Sequence, residues 1–169
     1  MIDRRALLTA GVALGALMAA SKFGEAETMN TTEKTIDFKN LSDAEWHKRL
    51  DEAQFNVLRK HGTERAGTSA LNHEKRKGTF ECAGCGLPLF SSDTKFESGT
   101  GWPSFYQPLS NAVGTTTDRS FFMTRTEVHC SRCEGHLGHV FNDGPKPTGL
   151  RYCMNGVALK FEPQTGGQS

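Results

Sequence analysis

Five cysteines carry the reactive chemistry of this sequence, and their spacing divides them four to one. Cys82-Ala-Gly-Cys85 and Cys130-Ser-Arg-Cys133 are two C-x-x-C pairs with Gly84, Gly86 and Gly135 around them, the composition of tight metal-binding knuckles. Cys153, in Arg151-Tyr152-Cys153-Met154-Asn155, is left over. Four thiolates close a tetrahedral zinc site and leave no open coordination position. One zinc per chain on Cys82, Cys85, Cys130 and Cys133 would therefore hold the fold, and the reaction must come from elsewhere. Cys153 is the natural nucleophile.

Rival readings of the knuckles are weaker. A disulfide within a C-x-x-C closes so small a loop that it constrains the unfolded chain little. A thioredoxin-like redox pair needs its C-x-x-C at a helix start in a βαβ unit, and neither pair has that setting. A mixed set of Cys130, Cys133, His136 and His139 would strand the first pair. If zinc takes the thiolates, His136 and His139 are free for proton transfer, although a lone histidine near a core is as often a hydrogen-bonded structural group. On a regular strand residues 136 and 139 face opposite ways, so both reach one site only if the backbone bends at Gly138. Ser98-Gly-Thr-Gly-Trp102-Pro-Ser-Phe105 is a glycine-rich loop of the kind that frames a pocket, with Trp102 placed to hold a small apolar group or simply to pack the core with Phe105.

These groups need elements to position them. Ser42-Asp-Ala-Glu45 has capping-box spacing, and Leu41 with Trp46 fits the hydrophobic staple. Together with Trp46, Leu50, Ala53, Val57 and Leu58 at helical intervals, this predicts a helix over 43–59, stopped by His61-Gly62. Beyond it the helical period fades. Phe122, Thr124, Thr126 and Val128 share one face of a strand leading into Cys130, and the alternation of Cys153, Asn155, Val157, Leu159 and Phe161 predicts a strand on which Cys153 and Asn155 point the same way. Asn142-Asp-Gly-Pro145 reads as a turn. The outcome is a mainly β, antiparallel domain over 42–163, behind a linker over 27–41 and followed by a short tail over 164–169.

Residues 1–26 read as an export signal. Arg4-Arg5 precede an apolar run, Ala6 to Ala20, of 15 residues, short of the roughly 20 that a membrane-spanning helix needs. The paired arginines suggest the twin-arginine route, which carries folded proteins, and place the product in the periplasm. Cleavage is expected after Ala26, with Ser21 as a second option and an uncleaved anchor as the alternative. Loss of Arg4, Arg5, Lys22, Asp3 and Glu25 leaves 17 basic and 17 acidic residues. Such a neutral chain lacks the charge that draws a zinc-knuckle protein to nucleic acid.

The two knuckles, Ser98-Gly-Thr-Gly-Trp-Pro-Ser-Phe105, His136-Leu-Gly-His-Val-Phe141, Asp143-Gly-Pro145 and Arg151-Tyr-Cys-Met-Asn155, in this order, resemble the B-type methionine sulfoxide reductases. The resemblance covers roughly Ser42 to Phe161. It implies two antiparallel sheets with short N-terminal helices and a structural zinc. It also implies reduction of methionine-R-sulfoxide, free or in proteins, through a Cys153 sulfenic acid. By the same resemblance His139 and His136 bind and protonate the sulfoxide oxygen, Asn155 sits beside the nucleophile, and Trp102 and Phe141 contact the substrate. The chain departs from the pattern at Thr100, where many members carry a resolving cysteine; an external thiol, of a thioredoxin-like protein, must then reduce the sulfenic acid of what is expected to be a monomer. It departs again at Ala66-Gly67, where proline and an aromatic are common. A zinc-stapled binding module with Cys153 as an inert core thiol is the reading from another function class.

Overall fold

The computed structural model describes residues 36–120 and 123–165. The export signal, part of the linker, Phe122 and the end of the tail lie outside them. The capping box forms as expected: the Ser42 side chain accepts from the Glu45 backbone and the Glu45 carboxylate accepts from the Ser42 N–H. The helix it opens is short, however. The expected helix over 43–59 is two helices, α1 (Asp43–His47) and α2 (Glu52–Lys60). The break comes from a second capping box, in which Asp51 and Gln54 satisfy each other's backbone N–H groups and Asp51 takes an extended conformation. The restart rotates the apolar face, so Phe55 is buried and Ala53 is exposed. His61 ends α2 in the left-handed conformation, φ 56°.

Among the described residues nine strands follow, all paired antiparallel. They are β1 (Gly78–Cys82), β2 (Pro88–Ser91), β3 (Lys95–Phe96), β4 (Ser104–Phe105), β5 (Val113–Asp118), β6 (Arg125–Cys130), β7 (His136–Phe141), β8 (Arg151–Met154) and β9 (Leu159–Pro163). They make a three-stranded sheet in the order β2-β1-β9 and a six-stranded sheet in the order β3-β4-β8-β7-β6-β5. The single strand expected over 151–161 is therefore divided between the two sheets. A 3₁₀ turn, Gly156–Ala158, carries the chain from one to the other, and alternation of residue types continues across it unchanged.

Aromatic rings join the sheets. Phe90 stacks on Phe105 at 4.3 Å between centroids, and Phe80 meets Phe105 edge-on at 4.9 Å. Phe80, Phe90 and Phe105 are fully buried, each removing enough apolar surface from water to contribute about 1.5–3 kcal/mol. The knuckles form the β1–β2 and β6–β7 turns, one from each sheet, and the helices seal them. A side chain at Gly135 would meet Leu58 at 2.9 Å, and one at Gly84 would meet Trp46 at 3.2 Å. Among the described residues no helix is long and apolar enough to cross a membrane.

Candidate active site

Register assembles the site. Ser104 on β4 lies opposite Cys153 on β8, Cys153 opposite His139 on β7, His139 opposite Glu127 on β6, and Glu127 opposite Thr116 on β5. Directly opposed residues share a face, so one row across the sheet holds a thiol, an imidazole, a carboxylate and two hydroxyls. Arg151, Phe141, Arg125 and Asp118 stand two residues along their strands and share that face.

His136 joins it through a bulge. Val128 pairs with Gly138 but His129 with His136, leaving Leu137 as an extra residue on β7. The bend that lets His136 and His139 share a site thus falls at Leu137, one residue before the Gly138 at which the sequence placed it. The two imidazole centroids are 5.4 Å apart. The carbonyl of the bulged Leu137 accepts from the Asn155 backbone N–H at 2.8 Å and from Asn155 Nδ2 at 3.0 Å. Asn155, 3 % exposed, thus fastens the bulge, and its Oδ1 accepts from the Glu64 N–H at 2.9 Å.

Each histidine has a carboxylate. His139 Nε2 is 2.8 Å from Asp118 Oδ2, and Asp118 also accepts from the Ser120 N–H and from Arg125. The Ser120 contacts first, then His139 and Arg125, hold the Asp118 carboxyl well below the usual carboxylate range. His136 Nδ1 is 2.6 Å from Glu127 Oε1, which His61 Nδ1 approaches to 2.9 Å. Burial keeps the His136 imidazole below its ordinary value in spite of Glu127. In the neutral tautomer that donates Nδ1–H to Glu127, His136 has a bare Nε2, and among the described residues that atom is buried without a partner.

The cleft above Cys153 has a volume of about 120 Å³ and is lined by Thr63, Trp102, Arg125, His139 and Phe141. That admits a single side chain and not a drug-sized ligand, for which pockets run to about 300–1,000 Å³. Trp102 is held by its indole N–H, which donates to the Glu64 carbonyl at 3.2 Å. The Arg151 guanidinium lies 4.4 Å from the Phe141 ring and grips Asp143 with two hydrogen bonds of 2.8 Å, which raises Arg151 and lowers Asp143 from their ordinary values. At the edge where the sequence has Ala66-Gly67, a side chain at Gly101, φ +92°, would meet Ala66 at 2.9 Å. Small residues let the two loops touch, with the Gly67 N–H on the Gly101 carbonyl at 2.8 Å.

Glu64, Asp118, Arg125 and Glu127 were not singled out by sequence reasoning. Their partners lie across turns or on other segments, and only the folded pairing reveals them.

The four knuckle sulfurs lie within 4.8 Å of one another, with Cys82 Sγ to Cys133 Sγ 3.6 Å and Cys85 Sγ to Cys130 Sγ 3.5 Å. A tetrahedron with metal–sulfur bonds of about 2.3 Å has edges of about 3.8 Å. The cluster thus fits a metal such as zinc, and the six-stranded sheet presents Cys153 apart from it.

A family model described as the SelR domain matches residues 50–163. A peptide methionine sulfoxide reductase MsrB of Leptospira interrogans is 58 % identical over 126 residues, 74 % of this chain and 96 % of that protein. One from Pseudomonas putida is 52 % identical over 139 residues, covering 82 % and 99 %. The chloroplastic peptide methionine sulfoxide reductase B1 of Arabidopsis thaliana is 54 % identical over 126 residues, covering 74 % and 62 %.

Proposed function

The chain belongs to the SelR family of peptide methionine sulfoxide reductases, and we propose that it reduces the R epimer of methionine sulfoxide through Cys153 and returns to its resting state with an external thiol. The observation that carries this reading is the pairing of Cys153 with His139 across the β7–β8 ladder, at the floor of a cleft walled by Trp102 and Phe141.

The Cys153 thiolate attacks the sulfoxide sulfur while the oxygen takes a proton. Transfer of that oxygen to Cys153 releases methionine and leaves Cys153–SOH. His139, held at Nε2 by Asp118, is the group placed to give that proton. His136, neutral with a bare Nε2, accepts a hydrogen bond and so orients the protonated oxygen or a water. Trp102 and Phe141 hold the methyl group, and Asn155 keeps both histidines on the reacting face. A first thiol then displaces water from Cys153–SOH to give a mixed disulfide, and a second restores Cys153. With Thr100 where a resolving cysteine would stand, both come from outside, from a thioredoxin-fold reductant.

Cys82, Cys85, Cys130 and Cys133 would hold zinc, whose chemistry there is structural because the four ligands fill it. Residues 1–26 are proposed as a twin-arginine signal and the periplasm as the site of action of a monomeric enzyme; replacing Arg4 and Arg5 by lysine should then hold an uncleaved precursor in the cytoplasm.

The assay is reduction of separated R and S epimers driven by dithiothreitol. The R epimer alone should turn over, and Cys153→Ser should abolish turnover with zinc content and melting unchanged. Activity retained in Cys153→Ser would move the chemistry to another residue.

A further inference from the structure

The loop that carries Trp102 also carries a chain of three hydroxyls that ends on the sulfur of Cys153. Ser104 is fully buried and stands opposite Cys153 in the β4–β8 ladder. Its Oγ lies 2.7 Å from Ser98 Oγ. Ser98 Oγ lies 2.9 Å from Thr100 Oγ1, and Thr100 Oγ1 lies 3.8 Å from Cys153 Sγ. At the far end the Ser104 hydroxyl reaches the Trp102 carbonyl oxygen at 3.1 Å.

A hydroxyl has one proton to give, so a chain of hydroxyls has a direction. With Cys153 protonated, S–H donates to Thr100, Thr100 to Ser98, Ser98 to Ser104, and Ser104 to the Trp102 carbonyl. Every proton then has an acceptor. When Cys153 has given its proton to solvent, the order reverses: Ser104 donates to Ser98, Ser98 to Thr100, and Thr100 to the sulfur. No proton passes along the chain; three O–H bonds rotate. The Trp102 carbonyl gives up one neutral hydrogen bond, and the thiolate gains a charge-assisted one, the stronger of the two, polarised further by the two bonds behind it.

We propose that Thr100, Ser98 and Ser104 form a reversible hydroxyl relay that stabilises the Cys153 thiolate. Thr100 touches the sulfur; Ser98 and Ser104 are positioning residues that act through it. The proposal rests on the reading of Cys153 as the nucleophile. Among the described residues the other charged or titratable groups around Cys153 are His136 and His139 on β7, Arg151 on β8 with its partner Asp143, Asp118 and Arg125 on β5 and β6, Glu64 beside Trp102, and Lys95 and Glu97 at the root of the loop. None is altered in the test.

The rate of Cys153 alkylation by iodoacetamide, followed by mass spectrometry against pH in the zinc-loaded full chain, reads the thiol directly and needs no turnover. Thr100→Val, nearly isosteric, and Ser98→Ala should each move the midpoint to higher pH and leave roughly three- to tenfold less thiolate at pH 7, the effect of one net hydrogen bond. Thr100→Ser should restore the parent profile. The double variant should shift no further than Thr100→Val alone, because both changes break one chain. A parent-like profile in Thr100→Val, or shifts that add, would overturn the relay. A parent protein whose Cys153 fails to alkylate at any pH would overturn the nucleophile reading itself, so the two failures are distinguishable.

Discussion

Glu64→Ala tests whether the site is braced from the segment that leaves α2. The Glu64 carboxylate accepts from two backbone N–H groups of the 3₁₀ turn, Gly156 at 2.5 Å and Val157 at 3.0 Å. Its own N–H and carbonyl hold Asn155 and Trp102. Alanine keeps those backbone contacts and deletes the carboxylate, leaving the turn's two N–H groups without acceptors. A buried unpaired group costs about 1–3 kcal/mol. Gly156 is buried and pays near that in full, whereas half-exposed Val157 recovers part of it from water. The sum is roughly 2–4 kcal/mol, and at about 3–5 °C per kcal/mol for a domain of this size the melting temperature should fall by about 10 °C. Glu64→Gln, with one acceptor left, should fall about half as far. The turn follows directly on Asn155 and the β8 strand that carries Cys153, so kcat/KM should drop several-fold while zinc content stays constant. Calorimetry with metal analysis makes the measurement. An alanine variant that melts within 2 °C of the parent would show that solvent replaces the carboxylate and that the brace does not exist.

Cys85→Ser should lose the metal and cooperative melting together, because a structural zinc contributes about 10–16 kcal/mol at pH 7 against a total stability of about 5–15 kcal/mol; a metal-free variant that melts normally contradicts this. Thr100→Cys places a second thiol where Oγ1 now stands 3.8 Å from Cys153 Sγ, so one equivalent of sulfoxide without reductant should yield a disulfide between positions 100 and 153 in place of a sulfenic acid; persistent labelling of Cys153 by a sulfenic-acid probe counts against it. Stability should fall on acidification. Burial holds His136 below its ordinary value; Glu127, which burial pushes up, is brought below its own by hydrogen bonds from His136 and Thr116. Both bind fewer protons folded than unfolded, so stability is full above the unfolded histidine value of about 6.5, declines below it through His136, and declines again below about 4.5 through Glu127. Melting curves from pH 7.5 to 5.5 should slope down in the parent and flatten in His136→Gln; equal slopes would remove His136 as the cause.

The division of the cysteines, the Ser42 cap and the antiparallel character could be read from residue types because each depends on neighbours close in sequence. Asp51-x-x-Gln54 was equally local, yet the apolar spacing of Trp46, Leu50 and Ala53 pointed to a continuous helix, and only the observed burial of Phe55 reveals the restart. The turn at Gly156–Ala158 escapes for a different reason. Alternation reports which side of a sheet a residue faces, not which sheet it belongs to, and Leu159 after the crossing is buried, as Met154 is before it. The carboxylates behind His136 and His139 are invisible to spacing altogether. Asp118 and Glu127 acquire their meaning from hydrogen-bond register, which a single sequence does not print.

The row from Ser104 to Thr116 also sets an order in time. Thr116, Glu127 and His139 lie on consecutive strands β5, β6 and β7, joined by short connections whose closure costs little entropy, so this half can assemble early. Cys153 meets His139 when β8 adds to β7, and meets Ser104, about 50 positions upstream, only when β4 closes on the far side. The β1–β9 pairing, from Gly78 to Pro163, spans a longer loop still. A newly made chain therefore carries its thiol without a cleft until the last strands dock. Until then Cys153 is as open to solvent and to the knuckle thiols as any unfolded cysteine, and the pairings of β8 with β7 and β4 are what surround it with fixed neighbours.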